Sequence, residues 1–234
     1  MEATLVIGIN SRLGKELLKY DIGNKIIGVD IQQDLESEVS CKYFRIRNDN
    51  DSGMSDLILY LKKGQLLINK IIFLSGVNYM TDFYTVEKKQ WMNAYSVNIN
   101  YFLFTLKKLY SFFSKKTSIV CIASQNGVVA HEYRLDYSTS KAALIQLVKN
   151  LSVDFSQTTE KDIQINCISP SYILTDDNHS FFQSVFGKKL VDRIPYKRLP
   201  RVENVVHTIL FLLSDGSEAI RGQNIIVDYG YTII

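Results

Sequence analysis

The sequence has little of what marks several protein classes. Its three cysteines, Cys41, Cys121 and Cys167, lie 80 and 46 residues apart with no CxxC pair. That spacing fits neither a disulfide framework nor a zinc site, so they read as small buried or half-buried thiols and no metal is expected. With three prolines and no Gly/Ser tract, nothing marks a linker, and one domain over 1–234 is expected. No internal repeat or low-complexity segment is present. The longest apolar stretches, 66–74 and 205–213, fall short of the ~18 residues of a membrane helix. The first residues carry neither a basic run nor a small-residue cleavage site, so the expectation is a first strand and a cytoplasmic protein. Charge of one sign is also scarce: 27 basic and 24 acidic residues leave +3. No like-charged block points to a disordered tail or a nucleic-acid binder, and no membrane or nucleic-acid partner is expected.

What is present is alternation. Short β-branched runs at 4–9, 26–30, 71–74, 119–123, 164–168 and 224–227 are largely apolar, as strands covered on both faces are. Between them, 13–20, 55–61, 90–113, 137–154 and 203–213 carry apolar residues at three- and four-residue spacing, as helices packed on a sheet do. The pattern predicts an α/β fold, a doubly wound, mostly parallel sheet in a Rossmann-like three-layer sandwich. The least regular stretch, 171–198, has the character of a lid over a substrate.

The first strand runs into Gly8-Ile-Asn-Ser-Arg-Leu-Gly14 and then a helix. Glycines at such a turn let backbone N–H groups approach a pyrophosphate. The second strand ends at Asp30, 22 residues after Gly8, where a carboxylate binds the ribose hydroxyls of a non-phosphorylated dinucleotide and repels a 2′-phosphate. NAD is therefore favoured over NADP. Arg12 has three possible partners: a pyrophosphate, a 2′-phosphate or Asp30.

Tyr137 and Lys141 share one helical face four residues apart, but Tyr84 and Lys88 have the same spacing. Context separates the pairs. Tyr137 stands 13 residues after Ser124, which ends an apolar strand at the sheet edge where doubly wound folds bind ligands. A free phenol titrates near 10, and a nearby ammonium brings the phenolate into range as a base while a serine hydroxyl bonds the substrate oxygen.

With these residues in view, the chain resembles the short-chain dehydrogenase/reductase family, in its compact single-domain branch, over essentially its whole length. Asn98, Ser124, Tyr137 and Lys141 match the family's four catalytic positions, Asn98 as the holder of a relay water and Lys141 also as a ribose ligand. The resemblance implies cofactor contacts at Gly8, Ser11, Arg12, Leu13, Gly14, Asp30, Gly76, Tyr137, Lys141, Ile173 and Thr175. It departs from the family's pattern at Arg12, which replaces a loop glycine, at Phe73-Leu-Ser-Gly76 and at Pro170-Ser171; the adenine-contacting acid after the third strand is replaced by Arg45 or Asn48. The implied activity is an NAD(H)-dependent interconversion of a secondary alcohol and a carbonyl on a small-molecule substrate, in a homodimer or homotetramer. A cofactor-retaining epimerase or dehydratase, and a non-catalytic dinucleotide-binding regulator, stay open as alternatives. His131, His179 and His207 read as ordinary satisfied histidines, Lys107, Lys108, Lys115 and Lys116 as a solvated end of the long helix, and Phe102, Phe104, Phe112 and Phe113 as packing.

Overall fold

Continuous apolar runs set the centre of the molecule. Among the described residues seven strands, Glu2–Ile7 (β1), Ile26–Asp30 (β2), Lys42–Arg45 (β3), Leu67–Phe73 (β4), Phe113–Ile122 (β5), Asp162–Pro170 (β6) and Asn224–Val227 (β7), pair in parallel in the order β3-β2-β1-β4-β5-β6-β7. The structure is a computed structural model describing residues 1–23, 25–37, 39–47, 51–157 and 160–234. After their first residue, β1 and β6 are buried throughout, as strands with helices on both faces must be.

The helices are Arg12–Leu17 (α1), Ser52–Lys63 (α2), Lys88–Tyr95 (α3), Tyr101–Leu109 (α4), Leu135–Ser156 (α5), Asp176–Gln183 (α6), Val185–Asp192 (α7) and Val202–Leu212 (α8). Leu57 of α2, Phe102 of α4 and Leu144 of α5 cover one face of the sheet, while Leu17 of α1 and Val206 and Ile209 of α8 cover the other. The result is the three-layer, Rossmann-like arrangement expected. Strand order reverses between β1 and β4, which opens a crevice at the carboxyl ends of these strands, where such folds bind ligands.

Four features differ from the expectation. Strand β3 was not foreseen, because it is a four-residue edge strand with exposed ends. The helix read over 90–113 is interrupted by a π turn at Ser96–Asn100 and ends in a 3-10 turn at Tyr110–Phe112. Strand β5 then begins at Phe113, so Lys115 and Lys116 lie in a strand and only Lys107 and Lys108 end a helix; Lys116 Nζ bonds Asp215 Oδ1 at 2.6 Å. Segment 171–198 is more regular than expected, since α6 and α7 fill most of it. A Cβ at Gly187 would overlap the Phe181 carbonyl, so the two helices cross closely. No helix among the described residues is long and apolar enough to cross a membrane, and no group of three metal-ligating side chains occurs among them.

Candidate active site

The turn after β1 is built by steric exclusion. Gly8 has φ of +84°, and a Cβ there would meet the Ser75 nitrogen at 3.0 Å; a left-handed residue with no side chain is what the position allows. A Cβ at Gly14 would overlap the Ile9 backbone, so α1 presses against the turn it follows. Ser11 caps α1, its side chain accepting from Gly14 N at 3.1 Å. Leu13 packs in the apolar cluster shared with α8 and Ile173.

Asp30 sits beside this turn. Its carboxylate accepts from Asn10 N at 2.9 Å and from Ile31 N at 2.8 Å, and both Asp30 and Gly76 line a crevice of about 510 Å³ with Gly8 and Ser11. Asn10, which sequence reasoning missed, ties the turn to the next loop: its Nδ2 donates to Gln32 Oε1 and the Asp34 carbonyl, and its Oδ1 accepts from Glu36 N. Tyr43 stands nearby, its phenol pushed up to about 12 by burial and then by the Asp30 charge. Arg45 is turned to the Ile31 carbonyl and Gln33 Oε1; Asn48 lies outside the described residues. Arg47 lines the crevice. Of its three expected partners, Asp30 is not the one that Arg12 meets. It forms an ion pair with Asp177 of α6, both side chains being more than half exposed.

The second half of the site is carried by α5. Lys141 is 3% exposed, lies with Nζ 5.6 Å from the centre of the Tyr137 ring, and donates to the Ile122 carbonyl at 2.7 Å. A Cβ at Gly76 would stand 3.2 Å from that Nζ and 3.3 Å from Asn98 Oδ1, so the missing side chain brings three segments together. Asn98 lies in the π turn, a distortion that recurs at functional sites. Its Oδ1 accepts from Val77 N at 2.9 Å, and its Nδ2 donates to the Val77 carbonyl at 3.0 Å and to Ser140 Oγ at 2.9 Å. The side chain thus staples the loop after β4 to α5, which leaves its amide no free proton.

Ser124 ends the segment that follows β5. Its Oγ accepts from Asn126 N at 3.1 Å, leaving its own proton available to a ligand. The following turn rests directly on α5: a Cβ at Gly127 would lie 2.8 Å from the Lys141 carbonyl carbon and 2.9 Å from Ala142 N. Gly127 is a second residue that sequence reasoning missed, and only the contact reveals it. Tyr84, the competing tyrosine, is 90% exposed in a turn before α3, and its paired Lys88 begins that helix.

Beyond Tyr137, His131 Nε2 and the Tyr172 hydroxyl share a hydrogen bond. Thr175 precedes α6, its N–H donating to Asn178 Oδ1 at 2.8 Å, while Asn178 Nδ2 donates to the Ile173 carbonyl. His179 lies in α6, and His207 packs edge-on against Tyr20. The buried Oγ1 of Thr175 and Oγ of Ser171 have no hydrogen-bond partner among the described residues. Gly8 and Gly14 put no Cβ at the two ends of the loop, and these hydroxyls are unspent, so the residues present fit an extended, polar dinucleotide.

A family model described as enoyl-(acyl carrier protein) reductase matches residues 49–232, and the chain belongs to the short-chain dehydrogenase/reductase family, oxidoreductases of CH–OH and carbonyl groups that use NAD(P). It is similar to the 3-oxoacyl-[acyl-carrier-protein] reductase FabG of Buchnera aphidicola, 28% identical over 98% of this chain and 96% of that protein. Among solved structures it resembles a 4-hydroxyisoleucine dehydrogenase mutant complexed with NADH and succinate, with a TM-score of 0.88, 24% identity and 99% of each chain covered. A gluconate 5-dehydrogenase from Burkholderia cenocepacia in complex with NADP and tartrate has a TM-score of 0.86 at 19% identity, over 100% of this chain and 96% of that one. The chain spans less than half the length of several further relatives that it matches.

Proposed function

We propose that the chain is an NAD(H)-dependent oxidoreductase that interconverts a secondary alcohol and a carbonyl in a small-molecule substrate. The observation that carries this reading is the convergence of buried Lys141 on Tyr137, with Asn98 and Gly76 against it, at the carboxyl end of the sheet. Tyr137 is the general acid and base; its hydroxyl makes no hydrogen bond among the described residues and is open to a substrate oxygen. Lys141 stands with its Nζ 5.6 Å from the centre of the Tyr137 ring, and two of the ammonium's three protons stay available to a ribose, since Ile122 accepts only one. Ser124 donates its free proton to the substrate oxygen. Asn98 holds the loop after β4 in place and supports the relay through its backbone.

In the oxidising direction the substrate carbon loses its hydrogen as hydride, its C–O bond becomes double, and the hydroxyl proton passes to Tyr137. When bound, a nicotinamide dinucleotide supplies or takes up that hydride. Gly8, Ser11, Arg12, Leu13, Gly14, Asp30, Gly76, Ile173 and Thr175 would hold it, with Tyr137 and Lys141 at its reactive end. Asp30 supports NAD over NADP, and so does the engagement of Arg12 with Asp177. Segment 171–198 serves as the substrate lid of a single-domain enzyme, and a homodimer or homotetramer is the expected assembly.

One observation favours a second reading for the cofactor: Arg47 lines the same crevice as Asp30, and a guanidinium there suits a 2′-phosphate. The test is the pair of dissociation constants for NADH and NADPH, in wild type, Asp30→Ala and Arg47→Ala. NADH preference that collapses in Asp30→Ala is expected. NADPH preference that collapses in Arg47→Ala would overturn the NAD assignment, and binding of neither would favour a regulator that has lost the cofactor.

A further inference from the structure

Tyr137 stands in the first turn of α5, and the loop after β4 grips that turn on both sides of it. On the N-terminal side, Leu135 donates its N–H to the Thr81 carbonyl at 2.9 Å, and Thr81 Oγ1 donates to Asp136 Oδ1 at 2.7 Å. Thr81 is 3% exposed and Asp136 is fully buried. On the C-terminal side stands Ser140, also fully buried. Its Oγ accepts from Asn98 Nδ2 at 2.9 Å and donates to the Tyr137 carbonyl at 2.8 Å. Asn98 is in turn bonded to the N–H and the carbonyl of Val77. One short loop therefore holds Leu135 and Asp136 through Thr81, and Tyr137 and Ser140 through Val77 and Asn98.

Three observations set this clamp apart from an ordinary loop contact. Arg134 gives α5 no side-chain cap, so the Thr81 carbonyl takes an N–H that the helix itself leaves without a partner. Asp136 joins no ion pair among the described residues, and its Oδ2 has no partner among them; a buried carboxyl half unspent is a costly way to fasten a loop for stability alone. Both segments also enter the clamp through left-handed residues: Met80, with φ of +57°, precedes Thr81, and Tyr133, with φ of +55°, lies two residues before Leu135. Side chains rarely adopt that conformation, and it persists where surrounding contacts over-determine it, as they do at active sites. The same loop begins at Gly76, where a Cβ would stand 3.2 Å from Lys141 Nζ, so a shift of the loop reaches the lysine as well as the tyrosine.

We propose that Thr81, Asp136 and Ser140 are positioning residues for proton transfer. They fix the first turn of α5 against the loop after β4, and with it the placement of the Tyr137 phenol relative to Lys141 and the reacting oxygen. The proposal rests on the oxidoreductase reading for the reaction it serves, and on the hydrogen bonds alone for the placement.

The test uses the full chain with its tyrosine Cζ atoms labelled for NMR, Tyr137→Phe identifying the Tyr137 resonance. Wild type, Thr81→Val, Thr81→Ser and Ser140→Ala are compared, circular dichroism confirming that each is folded; Ser140→Ala serves should Thr81→Val misfold. The Tyr137 resonance is expected to move or split in Thr81→Val and Ser140→Ala and to keep its wild-type position in Thr81→Ser, which retains the hydroxyl. NADH oxidation with diacetyl is measured alongside. There kcat should fall about tenfold to a hundredfold in Thr81→Val and Ser140→Ala, the scale of a displacement of about 1 Å, with KM and the NADH dissociation constant within about twofold of wild type. Thr81→Ser should restore the rate. Should wild type leave diacetyl untouched, the resonance decides alone. An unmoved resonance in Thr81→Val or in Ser140→Ala, or a wild-type kcat in either, would overturn the proposal, because a purely structural staple lowers only the melting temperature. A resonance that moves in a protein that binds no NADH would leave the clamp standing and sink the oxidoreductase reading instead.

Discussion

Replacing Gly127 with alanine tests how Ser124 is held against α5. A Cβ at this position would stand 2.8 Å from the Lys141 carbonyl carbon, 2.9 Å from Ala142 N and 2.9 Å from Ile145 Cδ1. Two of the three are backbone atoms of a 22-residue helix, which cannot swing aside as a side-chain tip can, so the turn itself must move. Overpacking of this kind costs about 1–3 kcal/mol, and for a domain of this size each kcal/mol is worth about 2–4 °C in Tm. The expected fall is therefore about 4–8 °C for a cost near 2 kcal/mol. Because the displaced turn begins at Ser124, turnover should drop further than stability alone explains, with kcat affected more than KM. Gly216→Ala is the internal control. Its Cβ would find nothing nearer than Ser214 Oγ at 3.5 Å, so its stability should stay within about 0.5 kcal/mol of wild type. Thermal denaturation and initial rates on both variants decide the matter. Equal Tm values, or a Gly127→Ala enzyme of wild-type rate, would refute the contact reasoning.

Three further outcomes are expected. Asp136 is fully buried and takes one hydrogen bond, from Thr81 Oγ1 at 2.7 Å, while its other oxygen has no partner among the described residues; Thr81→Val should cost about 1–3 kcal/mol by stripping that bond, and a urea midpoint equal to wild type would contradict this. The Arg221 guanidinium holds the Asp162 carboxyl below its ordinary range. A carboxylate depressed in the folded state contributes stability above its unfolded pKa that is lost as pH falls through its folded pKa; Arg221→Gln should therefore flatten the acid side of a stability profile taken between pH 5 and 2, by a modest amount because the pair is partly exposed. Asp177→Ala, which releases Arg12, should change stability by no more than about 1 kcal/mol. Any effect should instead appear as a gain in NADPH affinity, and a large stability loss in a melting curve would show that the ion pair has another role.

Much of the architecture was legible because buried parallel strands advertise themselves as largely apolar runs, and the paired Tyr137 and Lys141 were legible because helical spacing puts them on one face, 13 residues after the serine that closely follows a strand. Strand β3 was hidden because an edge strand of four residues, Lys-Tyr-Phe-Arg, needs no apolar run. The first half of β5 was hidden behind Lys115 and Lys116, which read as the end of a helix. No periodicity signals the π turn, since one extra residue per turn leaves the apolar spacing nearly intact. Nor does local sequence reveal that Arg12 meets Asp177, 165 residues away, or that Gly127 touches α5. Asn10 came closest to being readable: it stands inside the glycine turn, yet its work is to hold the loop after β2, a role visible only once both loops are placed.

The most direct measurement of the central claim is the turnover of Tyr137→Phe beside its NADH dissociation constant. Removal of the phenolic oxygen should lower kcat at least about a hundredfold, the scale of a lost general acid and base, while the ring, the Lys141 contact and NADH affinity remain near wild type. A Tyr137→Phe protein that turns over substrate at the wild-type rate would contradict the assignment of proton transfer to this residue.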